Sequence, residues 1–310
     1  MKNFTAFYSG VFLYGFLMRD FLEYFPLWIL KKIIELLPFK SVGHIGNFFG
    51  TFVYYCIPIR KKLTLQNLAN AFPEKDFSEI NTLALATYKN LFISLLEIFW
   101  FSRLTKKNIH EIVTLENTEK ISQLLKKEKG LIVLSAHFGN WELGALALGL
   151  EIQEGILVIV QQQRNMYVDR LMNNFRTMFN NTTVTLGKAP REIIRAIQNN
   201  KVIALLADQS GGEDGLFVEY FNRPVSTRSG PAIFSVRNGT PIIAAFMVRQ
   251  PNGTYIATLE EINTENLNGT TEEKVRELTQ RHVAVLENYV RKYPEQWLWL
   301  HKRWKHSDKK

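Results

Sequence analysis

The segment LSAHFGNWELG, residues 134–144, sets one histidine and one carboxylate five positions apart in an otherwise apolar run. An imidazole held by an acid is the apparatus of general-base chemistry. The acid fixes the tautomer and raises the basicity of the other ring nitrogen. Neither regular structure makes His137 and Glu142 neighbours. Five residues along a helix turn a side chain through about 500°, and an odd offset along a strand sends it to the opposite face. The two groups meet only if the chain changes structure between them. Residues 131–135 read as a strand and 141–150 as a helix, with HFGN as the turn. Gly139 gives that turn its backbone freedom and Asn140 is a good N-cap. Glu142, in the first helical turn, is then expected to fold back onto His137. Backbone amides near residues 139–141, or Arg164, would meet a developing oxyanion.

Other apolar runs also end in polar groups. VIVQQQRN closes on Gln161, Gln162, Gln163 and Arg164, and IALLADQSGG on Asp208 and Gln209. In open α/β sheets ligands bind at the carboxyl ends of the strands, so these residues predict a pocket. NRPVSTRSG carries Arg223 and Arg228 just before a helix start near Gly230, which reads either as an anion site or as solvated loop arginines. The loop GGEDG, residues 211–215, lacks the Lys-Ser/Thr of a nucleotide P-loop. No metal-ligand set is recognisable.

The elements that must carry these groups follow from the hydrophobic pattern. GLIVLSA, GILVIVQ, KVIALLA and PIIAAFMV are short aliphatic runs that suit strands buried on both faces. Helical patterns at 141–150, 169–180, 191–199 and 230–238 alternate with them. This predicts an α/β fold with a mostly parallel central sheet covered by helices on both faces. PNGTYIATLE adds an antiparallel edge hairpin through its Asn-Gly turn. Residues 271–293 form a capped helix, and 63–105 read as mostly helix, broken near Pro73.

Length and composition bound the rest. The chain has 310 residues, enough for a substantial core, and is 46% hydrophobic with 22 Phe. A single cysteine, Cys56, excludes an internal disulfide and any cysteine-rich zinc site. Lys and Arg number 38 against 29 acidic residues, a net charge of +9. That excess suits an anionic partner, or simply solubility. Its distribution favours a membrane surface over nucleic acid. Residues 3–18 carry no charge, a run slightly short of the ~20 residues that span a bilayer. A second uncharged run, 41–59, stops at the basic Arg60, Lys61 and Lys62. Residues 1–62 therefore read as N-terminal membrane-anchoring helices, with ordinary buried helices as the alternative, and residues 63–310 as the α/β domain. The closing WLWLHKRWK is either an interfacial belt or a tryptophan-rich element packed on the sheet.

HFGNWE resembles the H-x4-D/E motif of glycerolipid acyltransferases, in the form found in the bacterial lipid A biosynthesis (late) acyltransferase family. The resemblance extends to residues 60–74 (RKKLTLQNLANAFPE), to 207–232 and to 287–305, so it spans most of the chain. It implies an acyl carrier protein or coenzyme A thioester as co-substrate, with no cofactor. It also implies a membrane-embedded glycolipid acceptor and work at the cytoplasmic face of the inner membrane. Carried over, His137 is the general base and Glu142 its partner. Asn140, Arg164, Asp208, Gln209 and Arg228 are the candidate substrate contacts. QQQRN departs from the aromatic–Arg–Pro sequence common in the family at that place. Related subfamilies acylate mannosylated phosphoinositides or other glycolipids, so a phosphoinositide mannoside or a lysophospholipid is the alternative acceptor. A non-catalytic, basic membrane-surface binding protein is the reading from another class.

Overall fold

The computed structural model describes the backbone of residues 2–306 and the side chains of residues 18–306. Of the uncharged run 3–18, only Met18 has a described side chain. The N-terminal third is helical: α1 (Lys2–Ile34), α2 (Phe39–Cys56), α3 (Lys61–Ala71) and α4 (Phe77–Trp100). Pro73, just past the end of α3, cannot continue a helix. Asp76 then opens α4 through a capping box: its carboxylate accepts the Glu79 N–H at 2.8 Å, and the Glu79 carboxylate accepts the Asp76 N–H at 3.0 Å. Helix α2 lies against α4 with its backbone in contact. A Cβ on Gly46 would stand 2.5 Å from Ile93 Cα, and one on Gly50 2.6 Å from Lys89 Cα. Only glycine permits that approach.

The exposed side of this layer is apolar. Leu22, Trp28 and Ile33 of α1 and Phe48, Phe52 and Tyr55 of α2 all face outward. Among the described residues one helical stretch, Phe77–Arg103, is long and apolar enough to cross a membrane, and half of its most apolar window is buried in the protein. It carries the buried Glu97 and packs Trp100 and Phe101 into the core, so it serves as a core helix.

The α/β body follows as α5 (Ile109–Ile112), β1 (Val113–Glu116), α6 (Glu119–Leu125), β2 (Leu131–Ser135), α7 (Trp141–Glu151), β3 (Leu157–Val160), α8 (Met166–Arg176), β4 (Thr182–Thr185), α9 (Ala189–Gln198) and β5 (Val202–Leu206). Then come β6 (Leu216–Tyr220), β7 (Arg223–Thr227), α10 (Gly230–Asn238), β8 (Ile242–Ala244), β9 (Val248–Arg249), β10 (Tyr255–Thr258), β11 (Glu260–Ile262) and α11 (Thr271–Lys292). The six-stranded central sheet has the order β11-β8-β2-β5-β3-β4, and β11 alone runs antiparallel. A smaller sheet, β1-β10-β9, and a β6-β7 hairpin stand beside it.

PIIAAFMV is not one strand. Its backbone leaves the central sheet after Ala244 and joins the small sheet at Val248, because Met247 closes over the HFGN turn. The hairpin at Asn252-Gly253 does form, pairing Tyr255 with Arg249. The closing tryptophans belong to the core: Trp297, Trp299 and Trp304 are all buried, with Trp297 and Trp299 in edge contact at 4.7 Å. This disposes of the interfacial alternative for that segment.

Candidate active site

Strands β2 and β5 run parallel with Ser135 opposite Leu206. Two residues beyond each of these, His137 and Asp208 leave the sheet side by side. The Asp208 carboxylate accepts His137 Nδ1–H at 2.9 Å through Oδ1 and the His137 backbone N–H at 3.0 Å through Oδ2. Trp297 Nε1–H also donates to Oδ2, at 2.9 Å. Burial by itself would raise the Asp208 carboxyl, but the His137 imidazole and these donors overcome it and hold the pKa at about 2. Burial alone would likewise depress His137. The Asp208 charge and hydrogen bond, with Glu142 nearby, outweigh it and raise the imidazole above its usual 6.5. With Nδ1–H committed to Asp208, Nε2 is the free basic nitrogen. Gln209 Nε2 lies 3.3 Å from it, and Trp141 meets the ring edge-on at 4.9 Å.

The expected His137–Glu142 pair does not form. Glu142, on the first turn of α7, projects toward α8 and makes a two-pronged ion pair with Arg176, Nε to Oε2 at 2.8 Å and Nη2 to Oε1. Asp208 takes the place assigned to Glu142 because it stands on the adjacent strand, in line with His137. Asp208 itself is buried behind the ring. Glu142, Arg176, Gln209 and Arg228 do share a cavity with His137.

Two other assignments are corrected. Arg164 is out on the surface, its side chain 69% exposed, clasping Glu23 of α1 at 2.8 Å. Asn140 caps α7 as expected, accepting the Leu143 N–H at 3.0 Å, but its amide turns inward and donates to Glu97 at 2.8 Å. Behind it lies a buried polar hub. Glu97 also accepts from Tyr255 at 2.6 Å and pairs with Arg249, which reaches Ser94 at 3.2 Å. Ser94 in turn donates to the Gly139 carbonyl at 2.8 Å. Such a network rigidifies the turn only because its members satisfy one another.

Gly139 has φ +56°, and a Cβ there would lie 1.8 Å from the Met247 carbonyl oxygen. Its N–H is spent on the Gln296 carbonyl at 2.8 Å, so it offers nothing to an oxyanion. The amides of Trp141 and Glu142, at the start of α7, have no intrahelical acceptor.

Sequence reasoning missed three contributors. Arg176 is an ordinary mid-chain arginine until α8 is placed against α7. Trp297 and Arg303 belong to the C-terminal segment, whose Leu298 N–H donates to the His137 carbonyl at 3.0 Å. Arg303 is fully buried among the Ser226 carbonyl, the Thr227 hydroxyl and the Gln209 carbonyl. With no carboxylate bonded to it, burial drags its pKa to about 10. The density of WLWLHKRWK was the available signal; its address was not.

The cavity has a volume of about 470 Å³, within the range of sites that bury a small ligand. Its mouth is polar and its depths are lined by aliphatic residues of the sheet, α7, α9 and α10. A half-buried imidazole held by a buried carboxylate, beside an apolar recess, is an arrangement that suits general-base transfer or hydrolysis on a substrate with a hydrocarbon chain.

Residues 17–306 match the family model of bacterial lipid A biosynthesis acyltransferases, and the chain belongs to that family. It is similar to the lipid A biosynthesis palmitoleoyltransferase of Escherichia coli strain K12, 22% identical over 291 residues, covering 93% of this chain and 92% of that one. The lauroyltransferase of the same organism is 23% identical, with coverage of 93% and 92%. A lipid A biosynthesis acyltransferase of Haemophilus influenzae is 24% identical, with coverage of 91% of each chain.

Proposed function

We propose that the protein transfers a fatty acyl chain from a thioester, carried by acyl carrier protein or coenzyme A, to a hydroxyl of a lipid A precursor. The observation that carries this reading is His137, its Nδ1 held by Asp208 and its Nε2 at the floor of a polar mouth above an aliphatic cavity.

The acceptor hydroxyl displaces the Gln209 amide from Nε2 and gives its proton to His137 as its oxygen attacks the thioester carbonyl. Help of this kind is worth about 10² to 10⁴ in rate. The imidazolium that forms is stabilised by the Asp208 carboxylate. The tetrahedral oxyanion is met by the free amides at the start of α7. Arg176 supports it, since Glu142 orients the guanidinium and leaves its buried Nη1 without a partner. Collapse of the intermediate forms the ester, breaks the C–S bond and returns the proton to the departing thiolate. Arg228, exposed at the rim, serves anionic groups of the donor or the lipid.

The exposed apolar side of α1 and α2 supports attachment to the cytoplasmic face of the inner membrane, where residues 1–62 act as the anchor. The test is acyl transfer to a lipid A precursor from acyl carrier protein and coenzyme A thioesters in parallel, comparing wild type with His137→Ala. Ester formation that survives the substitution unchanged refutes the mechanism.

A further inference from the structure

Strand pairing shows an opening in the central sheet. β3 and β5 are bonded only as far as Val158↔Ala204. Beyond that point β3 follows β4 up to Val160↔Thr185, and β5 follows β2 up to Leu206↔Ser135. β3 and β5 thus part at their carboxyl ends, and residues of both line the cavity there. Consecutive residues of a strand face opposite sides of a sheet, and here consecutive residues of both strands line one cavity: Val158, Ile159 and Val160, and Ala204, Leu205 and Leu206. The recess therefore has two apolar arms, one on each face.

The arms differ. The first runs beneath α7 among Val133, Ala145, Leu148, Val158, Ala257 and Leu259, which belong to or pack against the buried core and mostly exclude solvent. It is a closed end. The second runs between α9 and α10 among Ile159, Leu186, Ala189, Ile193, Leu205 and Phe234. Its flank is open, with Leu186 43% exposed and Pro190 and Arg228 at the surface.

We propose that these are separate chain-binding subsites. The closed arm beneath α7 holds the acyl chain of the donor, and the open arm between α9 and α10 holds a hydrocarbon chain of the acceptor lipid. A donor chain ends in a free methyl, so it suits a blind arm that measures its length. An acceptor chain must stay joined to a body that remains at the membrane, so it suits an arm with an open flank beside a cation. This assignment rests on the acyl-transfer reading, and the test below separates the two.

The experiment uses the full-length enzyme and two photoreactive probes, each with a terminal diazirine. One is a non-hydrolysable thioether of coenzyme A bearing a saturated chain; the other is a phosphorylated acyl-glucosamine lipid. The thioether is expected to label β10 and α7 peptides, and the glycolipid α9 and α10 peptides. Labelling needs no turnover, so an inactive enzyme that still shows this pattern defeats the acyl-transfer reading and leaves the two subsites standing. In turnover, Ala189→Phe is expected to raise the acceptor KM about tenfold or more with donor chain preference unchanged. Ala145→Phe is expected to move donor preference to shorter chains. Where a variant fails to fold, the labelling decides alone. Both probes in one arm, the reverse pattern, or labelling of neither arm overturns the proposal.

Discussion

Replacing Asp208 with asparagine tests the dyad most directly, because it removes one charge and leaves the shape. Unit charges about 4 Å apart interact by about 4 kcal/mol at an effective dielectric of about 20. A half-formed imidazolium in the transition state would lose roughly half of that, about 2 kcal/mol, or about 30-fold in rate. A second loss concerns the tautomer. If the introduced amide donates to Nδ1, the proton moves to Nε2 and the base is disabled, a change that costs about 10⁴-fold in a serine protease. The expected fall in kcat therefore lies between about 30-fold and about 10⁴-fold.

The pH dependence has a definite sign. Asp208 and Glu142 hold the His137 pKa above 6.5 against the depressing effect of burial. In the proposed mechanism His137 acts as a base only when neutral, so the wild-type rate is expected to rise with pH through a value above 6.5. Without the Asp208 charge, burial gains and the limb moves to lower pH. The assay follows thiol release from the donor thioester across the pH range, with Tm measured alongside. Folding of the Asp208→Asn variant should survive, since the carbonyl oxygen of the new amide can still accept from Trp297 or the His137 N–H. A kcat within about threefold of wild type, or an unmoved limb, refutes the dyad.

Other outcomes follow from the same geometry. Gly139→Ala must place a Cβ against the Met247 carbonyl at a left-handed position, so kcat should fall more than about tenfold and Tm should drop. Arg164→Ala, at an exposed ion pair with Glu23, should change stability by less than about 1 kcal/mol and leave kcat near wild type. His282 is buried on α11 with its pKa pushed down to about 3 from 6.5. Between those values the unfolded chain binds a proton that the folded chain does not, so stability falls on acidification by about 1.4 kcal/mol per pH unit. His282→Gln should flatten the dependence of Tm on pH below 6.5.

The turn at HFGN was legible because its causes are local: Gly139 takes a left-handed conformation and Asn140 caps the helix that follows. The alternation of aliphatic strands and helices was legible for the same reason. The partner of His137 was not, since Asp208 lies 71 residues away and is delivered by the register between β2 and β5. Glu142 looked like that partner only because it was near in the chain; α8 supplies the arginine that draws it off. The small sheet was hidden because Val113–Glu116 is too short to show a pattern and finds its mate, β10, far downstream. Trp297 shows the limit well. Its composition suggests a membrane rim, and its place is decided by one carboxylate in the core.

The C-terminal segment has a consequence for the order of events in the cell. Gln296 to Arg303 grip the HFGN turn, Asp208 and Gln209, and Arg60 and Asn67 of the N-terminal layer bind the carbonyls of Leu300, Trp299 and His301. Synthesis runs from the other end. A ribosome has therefore already released the greasy first helices when residues 296–303 arrive to knit the two layers together. The contacts that join the two layers through this segment thus form only after both layers have been made.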